Sequence, residues 1–363
     1  KQKGKIKNNY KMKKTNIKNL TFEELQELFL KLKQPKYRAK QVFSWVYQKG
    51  VDSFGEMKNL PAGLTAKLEQ DFKIDSLTLA DQQKARDKTE KILFRLKDNN
   101  FIETVLIQTQ NRTTICLSTQ VGCKYKCLFC ASGSKGFFRN LKPAEIVGQI
   151  LFSRFKLKHR ITNYVFMGMG EPLDNYENVA RAIKIMNHKQ GLDIGARRIT
   201  VSTCGLIPGI KKLQKIGLQI NLSVSLHAVT NQLRDILLPV NKRYPLPKLI
   251  EACKEFVNKT GRIITLEYIL IKGKNDSLKD ALGLEKIALD LGAKVNLIPY
   301  SSVPGFDFQA PELKDIKEFA ARLGRIKTKL TLRQSKGAQI EAACGQLAGR
   351  LNPGAKKTEV QLF

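Results

Sequence analysis

The chain has 363 residues, of which 42% are hydrophobic, and its 64 Lys and Arg against 32 Asp and Glu give a formal net charge of +32. This charge favours a polyanionic partner, and we expect nucleic acid, although a general lysine bias would also raise the charge. No run of about 18 apolar residues occurs, so we expect no transmembrane helix. No apolar segment follows the lysine-rich N-terminus, so we do not expect it to be a secretory signal.

The N-terminal region predicts a tail followed by a small helical domain. Residues 1–19 are rich in Lys and Asn and lack apolar periodicity, which predicts a disordered basic tail. Residues 20–73 carry three helical patterns, the first of which begins with a capping box formed by Thr21 and Glu24. We expect them to form a compact accessory domain. Residues 74–111 change to strand patterns, which predict a β-hairpin extension.

Residues 112–347 alternate between strand-like and helix-like segments. Repeated βα units predict an α/β fold with a parallel sheet, either open or closed into a barrel. Helices fill most of the gaps between the strands, and residues 348–363 are expected to form a C-terminal tail. The predicted strands of this region are 113–118, 163–167, 198–202, 219–226, 263–270, 293–299 and 329–333.

Three cysteines follow the first of these strands in a C-x3-C-x2-C pattern, at Cys123, Cys127 and Cys130. Soft thiolate ligands favour zinc, copper(I) or an iron–sulfur cluster. A structural zinc site is normally closed by four ligands, and no His or fourth Cys stands nearby, so the pattern indicates a metal group with one open position. A zinc site completed by a distant ligand is the alternative. Seven cysteines, three of them clustered, are typical of a reducing compartment, so we expect a cytoplasmic protein.

Short polar motifs follow several other predicted strands, where folds of this kind place their sites. They include the glycines and carboxylate of Gly168–Glu171, the hydroxyls of Ser202 and Ser225, and His227. Each is a weak signal alone, because any βα turn can carry glycines or hydroxyls. Glu103 lies in an apolar strand, and the alternation of side chains predicts that it faces solvent.

Six stretches taken together resemble the RlmN/Cfr family of radical S-adenosylmethionine (SAM) RNA methyltransferases, and most closely its RlmN-type dual-specificity members. They are LSTQVGCKYKCLFCASG, FMGMGEPLDN, RRITVSTCGLIPGI, NLSVSLHA, LPVNKRYPL and SKGAQIEAACGQL. The combination is far more specific than the cysteine pattern. It implies a partial (β/α)6 barrel, similar to a TIM barrel, with a small N-terminal helical accessory domain.

The resemblance also implies a reaction and its partners. Family members methylate carbon 2 of an adenosine in 23S rRNA, and many also act on tRNA, through a methylcysteine intermediate and two SAM molecules per turnover. They use a [4Fe-4S] cluster and a low-potential electron donor such as flavodoxin or ferredoxin. We expect a monomer that does not bind membranes. The alternatives are a Cfr-type enzyme that methylates carbon 8, and a non-catalytic metal-binding protein that binds RNA.

The same resemblance implies the roles of single residues. The cluster ligands would be Cys123, Cys127 and Cys130. Cys344 would carry the methyl group, and Cys116 would release the product by forming a disulfide with Cys344. Glu103 would be the proton acceptor, which revises the expectation of a solvent-facing side chain. The expected SAM contacts are Gly170, Glu171, Ser202, Ser225, Leu226, His227 and Ser301, the last of which stands where the family often has Asn.

Overall fold

The structure is a computed structural model that describes residues 14–333 and 335–349. Residues 1–13 of the predicted basic tail, and the predicted C-terminal tail from residue 350 onward, lie outside this part of the chain. The sequence assigns residues 15–19 to the tail, but they belong to the accessory domain, because Thr15–Asn16 pairs in parallel with Phe72–Lys73. Ile17 is buried there, and a single apolar residue of this kind shows no periodicity in the sequence. In the described ranges, no helix is both long and apolar enough to span a bilayer.

The regular elements are numbered in chain order. The strands are β1 (Thr15–Asn16), β2 (Phe72–Lys73), β3 (Thr78–Lys84), β4 (Glu90–Arg95), β5 (Phe101–Thr109), β6 (Arg112–Cys116), β7 (Gln120–Gly122), β8 (Phe137–Asn140), β9 (Asn163–Phe166), β10 (Ile199–Thr203), β11 (Asn221–Ser225), β12 (Thr265–Leu270), β13 (Lys294–Pro299) and β14 (Leu330–Leu332). The helices are α1 (Phe22–Lys31), α2 (Lys36–Ser44), α3 (Ala62–Asp71), α4 (Ala131–Ser134), α5 (Pro143–Leu151), α6 (Tyr176–Asn187), α7 (Ile207–Leu213), α8 (Asn231–Leu237), α9 (Leu246–Thr260), α10 (Leu278–Leu291) and α11 (Leu313–Arg322).

The three predicted N-terminal helices are present as α1, α2 and α3. The capping box of α1 forms, because the Thr21 amide donates to Glu24 Oε2 at 2.8 Å and the Glu24 amide donates to Thr21 Oγ1 at 3.4 Å. α2 continues as one π-helical turn, Trp45–Lys49. A hydrogen bond of 3.0 Å from the Ala144 amide to Asn19 Oδ1 connects this unit to α5 of the larger domain.

The central sheet has ten strands among the described residues, in the order β14-β13-β12-β11-β10-β9-β6-β5-β4-β3. Neighbouring strands from β6 to β14 are parallel, whereas β3, β4, β5 and β6 pair antiparallel. The parallel strands overlap the strands predicted from the sequence, and helices connect most of them. The predicted α/β class is therefore confirmed, and the predicted hairpin is β4–β5.

The sheet curls around a common interior. Val105 and Ile107 of β5 line the same cavity as Thr331 and Leu332 of β14, although six strands separate β5 from β14 in the strand order. A flat sheet would hold these strands far apart, so the arrangement is that of the partial barrel implied by the family resemblance. The carboxyl ends of the parallel strands open at one end of this barrel, where barrels of this kind carry their sites.

Candidate active site

The three clustered cysteines lie on the loop between β7 and α4, which we call the cysteine loop (residues 123–130). Two backbone hydrogen bonds shape it: the Cys123 amide donates to the Gly136 carbonyl at 2.8 Å, and the Cys130 amide donates to the Cys127 carbonyl at 3.1 Å. All three side chains are half-buried free thiols. Burial raises the pKa of each thiol, to about 12 for Cys123. The thiols are therefore neutral without metal and ionise when a metal group binds.

The arrangement of these thiols bears on the metal group that they hold. In the part of the chain that the structure describes, no three His, Cys, Asp or Glu side chains are grouped to bind a single metal ion. An iron–sulfur cluster does not need such a group, because each thiolate binds a different iron. Three thiols beside an open pocket therefore fit a [4Fe-4S] cluster that leaves one iron free.

A pocket opens beside the cysteine loop, and we call it the SAM pocket. The three cysteines form one wall, and the ends of β9, β10, β11 and β12 form the others. The predicted SAM contacts that line it are Gly170, Glu171, Ser202, Ser225 and His227. A ligand bound here would touch both the three thiols and the polar groups at the strand ends, so SAM in this pocket would lie next to the cluster.

Glu171 is held in the wall of the SAM pocket by backbone amides. Its Oε1 accepts from the Leu173 amide at 3.0 Å, and its Oε2 accepts from the Cys204 amide at 2.8 Å. Its own amide donates to Gln120 Oε1 at 2.8 Å. Burial raises the pKa of this carboxyl, and the amide hydrogen bonds oppose the rise. Each oxygen keeps a lone pair that can accept a further hydrogen bond from a ligand ammonium group.

Gly170 precedes this carboxylate and leaves no room for a side chain. Its φ is +93°, and a Cβ at this position would lie 2.4 Å from the Cβ of Gln120. The turn that brings Glu171 to the pocket wall therefore requires glycine.

His227 follows β11 with a φ of +55°, a left-handed conformation that is costly for a residue with a side chain. Its Nδ1 accepts from the Ile269 amide at 3.0 Å, and its carbonyl accepts from Asn275 Nδ2 at 2.8 Å. Burial lowers the pKa of the imidazole to about 3, so the ring is neutral and carries its proton on Nε2. Backbone strain of this kind concentrates at functional sites, where the surrounding structure maintains it.

Two of the expected SAM contacts lie outside the lining of the pocket. The Leu226 side chain is 1% exposed and packs in the core, and its amide donates to the Glu267 carbonyl at 3.0 Å. Ser301 is half-buried after the end of β13, and that strand contributes Ile298 to the pocket wall instead. Leu226 and Ser301 as SAM contacts stay predictions.

Cys116 and Cys344 line one cavity inside the barrel, which we call the barrel cavity. Cys344 also lines the SAM pocket, so it lies between the two spaces. Cys344 is exposed, whereas Cys116, at the end of β6, is buried. Burial raises the pKa of Cys116 to about 12. Desolvation by the surrounding protein also raises the pKa of Cys344, and the Arg333 guanidinium opposes that rise.

The disulfide that the family resemblance implies between Cys116 and Cys344 is absent, because all seven cysteines of the chain are free thiols. The backbone of Cys116 is fixed by the sheet, where it pairs with Val105 of β5 and Val165 of β9. Forming the bond would therefore depend on the position of Cys344, whose loop carries no regular strand or long helix.

The loop that carries Cys344 is hydrogen-bonded to the helical turn that follows the cysteine loop. The Ala131 amide donates to the Gly345 carbonyl at 2.7 Å, and Ser132 Oγ donates to the Leu347 carbonyl at 2.6 Å. Ser132 and Leu347 are 215 residues apart in the sequence. The fold thus holds Cys344 directly beside the predicted cluster site.

Glu103 is 3% exposed, so the prediction of a solvent-facing side chain from alternation is wrong. Its Oε1 lies 3.3 Å from Lys91 Nζ, and its Oε2 accepts from the Ala348 and Gly349 amides at 2.6 and 2.8 Å. The alternation of side chains along a strand predicts one exposed face, but both faces of β5 are buried. The C-terminal loop covers the face of Glu103, and α5 covers the face of Thr104.

Four buried or half-buried charged residues near the site were not identified from the sequence: Lys91, Arg234, Glu267 and Arg333. None stands in a recognisable motif, and they are widely separated in the chain. Glu267 and Arg333 form an ion pair of 3.7 Å in the wall of the SAM pocket. The sequence signal for such residues is a charge within an apolar run, as for Arg234 in LRDILL and Glu267 in TLEYIL. A charge in such a run is buried with its neighbours and therefore needs a polar partner, but the run does not show which residue that partner is.

Two family models match the chain. The model of the radical SAM superfamily matches residues 117–284, which include the cysteine loop and most of the SAM pocket. The model described as a ribosomal RNA large subunit methyltransferase N-terminal domain matches residues 15–74, which form the accessory domain.

Relatives match nearly the whole chain. A dual-specificity RNA methyltransferase RlmN of Geotalea uraniireducens (strain Rf4) is 43% identical over 345 residues, which are 95% of this chain and 100% of the relative. The protein of the same name from Nautilia profundicola is 44% identical over 339 residues, with coverages of 90% and 95%. The crystal structure of a radical SAM methyltransferase from Sphaerobacter thermophilus has a TM-score of 0.88 and 41% identity, and the match covers 93% of this chain and 100% of that one.

Proposed function

The chain belongs to the RlmN family of RNA methyltransferases within the radical SAM superfamily, and on this premise we propose that it methylates carbon 2 of an adenosine in 23S rRNA and in tRNA. As a member of this superfamily it uses a [4Fe-4S] cluster and SAM. Carbon 2 of adenine does not undergo ordinary nucleophilic methyl transfer. When bound, the cluster and SAM supply the radical chemistry that such a carbon needs.

The position of Cys344 is the observation that carries this proposal. Its thiol lines the SAM pocket together with the three clustered cysteines, and it also lines the barrel cavity together with Cys116. A side chain between the two spaces can receive a methyl group on one side and present it to a base on the other. The hydrogen bonds from Ala131 and Ser132 hold it there.

The binding roles divide between the two walls of the SAM pocket. Cys123, Cys127 and Cys130 would hold the cluster, since their thiols are free and line the pocket. On the opposite wall, Glu171 would accept hydrogen bonds from the SAM amino group, because its carboxylate is fixed and retains acceptor capacity. The neutral ring of His227 would donate through Nε2 without adding charge.

Three residues would carry the steps on RNA. Cys344, as the methyl thioether, would give up one hydrogen atom of its methyl group to the radical chemistry that bound SAM and the cluster would supply, and the methyl carbon would then bond to the adenine ring. Glu103 would accept the ring proton, and the remaining unpaired electron would return to the cluster. Cys116 would then attack the Cys344 sulfur, so that the carbon–sulfur bond breaks, the carbon takes up the thiol proton to become the methyl group of the released base, and a Cys116–Cys344 disulfide remains.

Glu103 Oε1 pairs with Lys91, and Oε2 accepts from the Ala348 and Gly349 amides. The end of the C-terminal loop would therefore move before Glu103 reaches a base.

The net charge of +32 supports RNA as the partner, since lysine and arginine bind phosphates without reading sequence. The reaction also needs a low-potential electron donor, for which flavodoxin or ferredoxin is proposed, and the enzyme is proposed to act as a cytoplasmic monomer. The target base has to leave its stack to enter the barrel cavity.

The experiment that tests the function is anaerobic incubation of the reduced enzyme with methyl-labelled SAM and unmodified rRNA and tRNA, followed by nucleoside mass spectrometry. The expected product is 2-methyladenosine from both RNAs. 8-Methyladenosine would instead identify a Cfr-type enzyme. Zinc without iron or sulfide in anaerobically purified protein, with no labelled nucleoside, would identify a non-catalytic RNA-binding protein.

A further inference from the structure

Arg234 of α8 is the largest side chain that is completely buried among the described residues, with 0% exposure. Its guanidinium donates to three backbone carbonyls, those of Cys204 at 2.8 Å, Ser225 at 3.1 Å and Leu226 at 3.1 Å. Cys204 follows β10, and the other two stand at the end of β11. The single side chain therefore ties together the ends of two strands that form the SAM pocket.

The same helix also holds the cysteine loop. The carbonyl of Leu237, one turn after Arg234, accepts a hydrogen bond of 3.1 Å from the amide of Leu128, which lies between two of the clustered cysteines. The next residue, Phe129, packs edge-on against the His227 ring with a centroid distance of 4.8 Å. α8 thus joins the cluster wall of the pocket to its opposite wall, and Arg234 is the polar centre of that junction.

The charge of Arg234 has no carboxylate in contact. Its remaining hydrogen bond, of 2.9 Å, goes from Nη1 to Asn241 Oδ1, and Asn241 in turn donates to Asp235. An isolated buried charge is costly, so a nearby negative charge is expected to balance it. The three thiols of the cysteine loop would supply that negative charge when they hold a cluster, since α8 is hydrogen-bonded to this loop through Leu237 and Leu128.

We propose that Arg234 is a positioning residue that fixes the SAM pocket against the cysteine loop and provides the positive charge that balances the thiolate-bound cluster. Cys204 links Arg234 to Glu171, because its carbonyl accepts a hydrogen bond from Arg234 and its amide donates one to the Glu171 carboxylate. Arg234 thereby fixes the position of Glu171 relative to the cysteine loop. The charge favours the reduced cluster, which is more negative than the oxidised one. The inference rests on the proposed radical SAM function.

The test compares two variants at this position with a matched control. Arg234→Gln removes the charge and part of the hydrogen bonding, whereas Arg234→Lys keeps the charge and loses the planar fork. Arg243→Gln, at an exposed arginine in the same segment, removes an equal charge away from the pocket. Each reconstituted holoprotein is assayed for iron and sulfide content, for the midpoint potential by EPR-monitored titration, and for the SAM dissociation constant by equilibrium dialysis.

We expect Arg234→Gln to have a more negative midpoint potential and SAM affinity weakened by about tenfold. Arg234→Lys should keep a potential near that of the wild type and still bind SAM more weakly, and Arg243→Gln should match the wild type in both. A potential and a SAM affinity in Arg234→Gln equal to those of the wild type would overturn the proposal. So would equal shifts in Arg234→Gln and Arg243→Gln.

A second variant covers the case in which the Arg234 substitutions prevent folding. Asn241→Ala removes the side chain that orients Nη1 but leaves the arginine in place, so SAM affinity should fall while the midpoint potential stays unchanged. Unchanged SAM affinity in a folded Asn241→Ala protein would overturn the proposal. A wild-type protein without iron and without SAM binding would instead contradict the proposed function, so the two failures are distinguishable.

Discussion

Glu103 and Ala348 are 245 residues apart in the sequence, yet Glu103 Oε2 accepts a hydrogen bond of 2.6 Å from the Ala348 amide. The other oxygen of the same carboxylate lies 3.3 Å from Lys91 Nζ, and the two charged side chains are only 3% and 6% exposed. This buried pair connects the β4–β5 hairpin to the loop that carries Cys344. The position of the proposed methyl carrier therefore depends on an ion pair at the opposite edge of the sheet.

Removing one partner of this pair should be more damaging than removing both. Glu103→Ala leaves the Lys91 ammonium buried without a counter-charge, which costs about 3–5 kcal/mol of unfolding free energy. The double variant with Lys91→Met should recover part of that loss, because no unpaired charge remains. Denaturant unfolding of the two single variants and the double variant measures the coupling. A double variant no more stable than Glu103→Ala would contradict the pairing.

Cys344→Ala should abolish methylation of RNA, because no sulfur remains to carry the methyl carbon. Cys253→Ala is the matched control, since that cysteine is buried in α9 and has no proposed role. Nucleoside mass spectrometry after anaerobic turnover measures both. Methylated adenosine produced by Cys344→Ala would rule out the methylcysteine route.

Cys116→Ala should stop the reaction at the release of the methylated base from Cys344. The adenine adduct on Cys344 would form but would not be released, so a covalent protein–RNA species should accumulate. It would appear as a band of reduced mobility on a denaturing gel that disappears after nuclease treatment. The Cys116→Ala, Cys344→Ala double variant should give no such band. Normal turnover by Cys116→Ala without an adduct would remove Cys116 from the mechanism.

His227 should make stability fall in acid. Burial lowers the pKa of its imidazole in the folded protein from 6.5 to about 3, so below pH 6.5 the unfolded chain binds a proton that the folded protein does not. The contribution of His227 to the free energy of unfolding is fully present above pH 6.5 and decreases as the pH falls towards 3. At pH 5 the free energy of unfolding is lower by about 2 kcal/mol.

Denaturant unfolding at pH 8 and pH 5 measures this loss. His227→Asn should remove it, because Asn tolerates the left-handed backbone and keeps an acceptor for the Ile269 amide. His188→Gln, at the half-buried histidine after α6, should retain the loss due to His227. An equal pH dependence in the wild type and His227→Asn would contradict the assignment.

RNA binding should depend on salt through a basic groove between the accessory domain and the hairpin. The groove is lined by Lys97 and Lys142, among other basic residues, and the Lys97 side chain is 73% exposed. Removing one phosphate-binding cation lowers the slope of log K against log salt by about 0.7–0.9. Lys97→Gln with Lys142→Gln should therefore reduce the slope measured by filter binding. Lys254→Gln, on α9 and outside the groove, should leave the slope unchanged.

Local patterns predicted most of the regular structure. The capping box of Thr21 and Glu24 and the alternation of strands and helices agree with the structure, because each depends on residues within a few positions of one another. The sequence predicts that Thr15–Asn16 belongs to the tail, because its partner strand, Phe72–Lys73, lies more than fifty residues away. A two-residue strand has no period that a sequence pattern can reveal.

The sequence predicted only the part of the site whose residues lie close together in the chain. Cys123, Cys127 and Cys130 lie close together in the chain, so their spacing alone indicated a metal group. Alternation placed Glu103 in solvent, since it describes one strand and cannot show that a distant loop covers the second face of that strand. Arg234 gave no signal beyond a charge in an apolar helix, and its three carbonyl partners come from segments that only the fold brings together.

The sequence by itself determined the α/β class, the cysteine loop and the family to which the chain belongs, because these depend on short-range spacing and on motifs that can be read along the chain. The tertiary structure alone decided that Cys344 lies between the SAM pocket and the barrel cavity, and that Glu103 and Arg234 are buried. The physical reason is that burial and pairing depend on which segments meet when the sheet curls. Those contacts join residues that are distant in the chain and carry no local pattern.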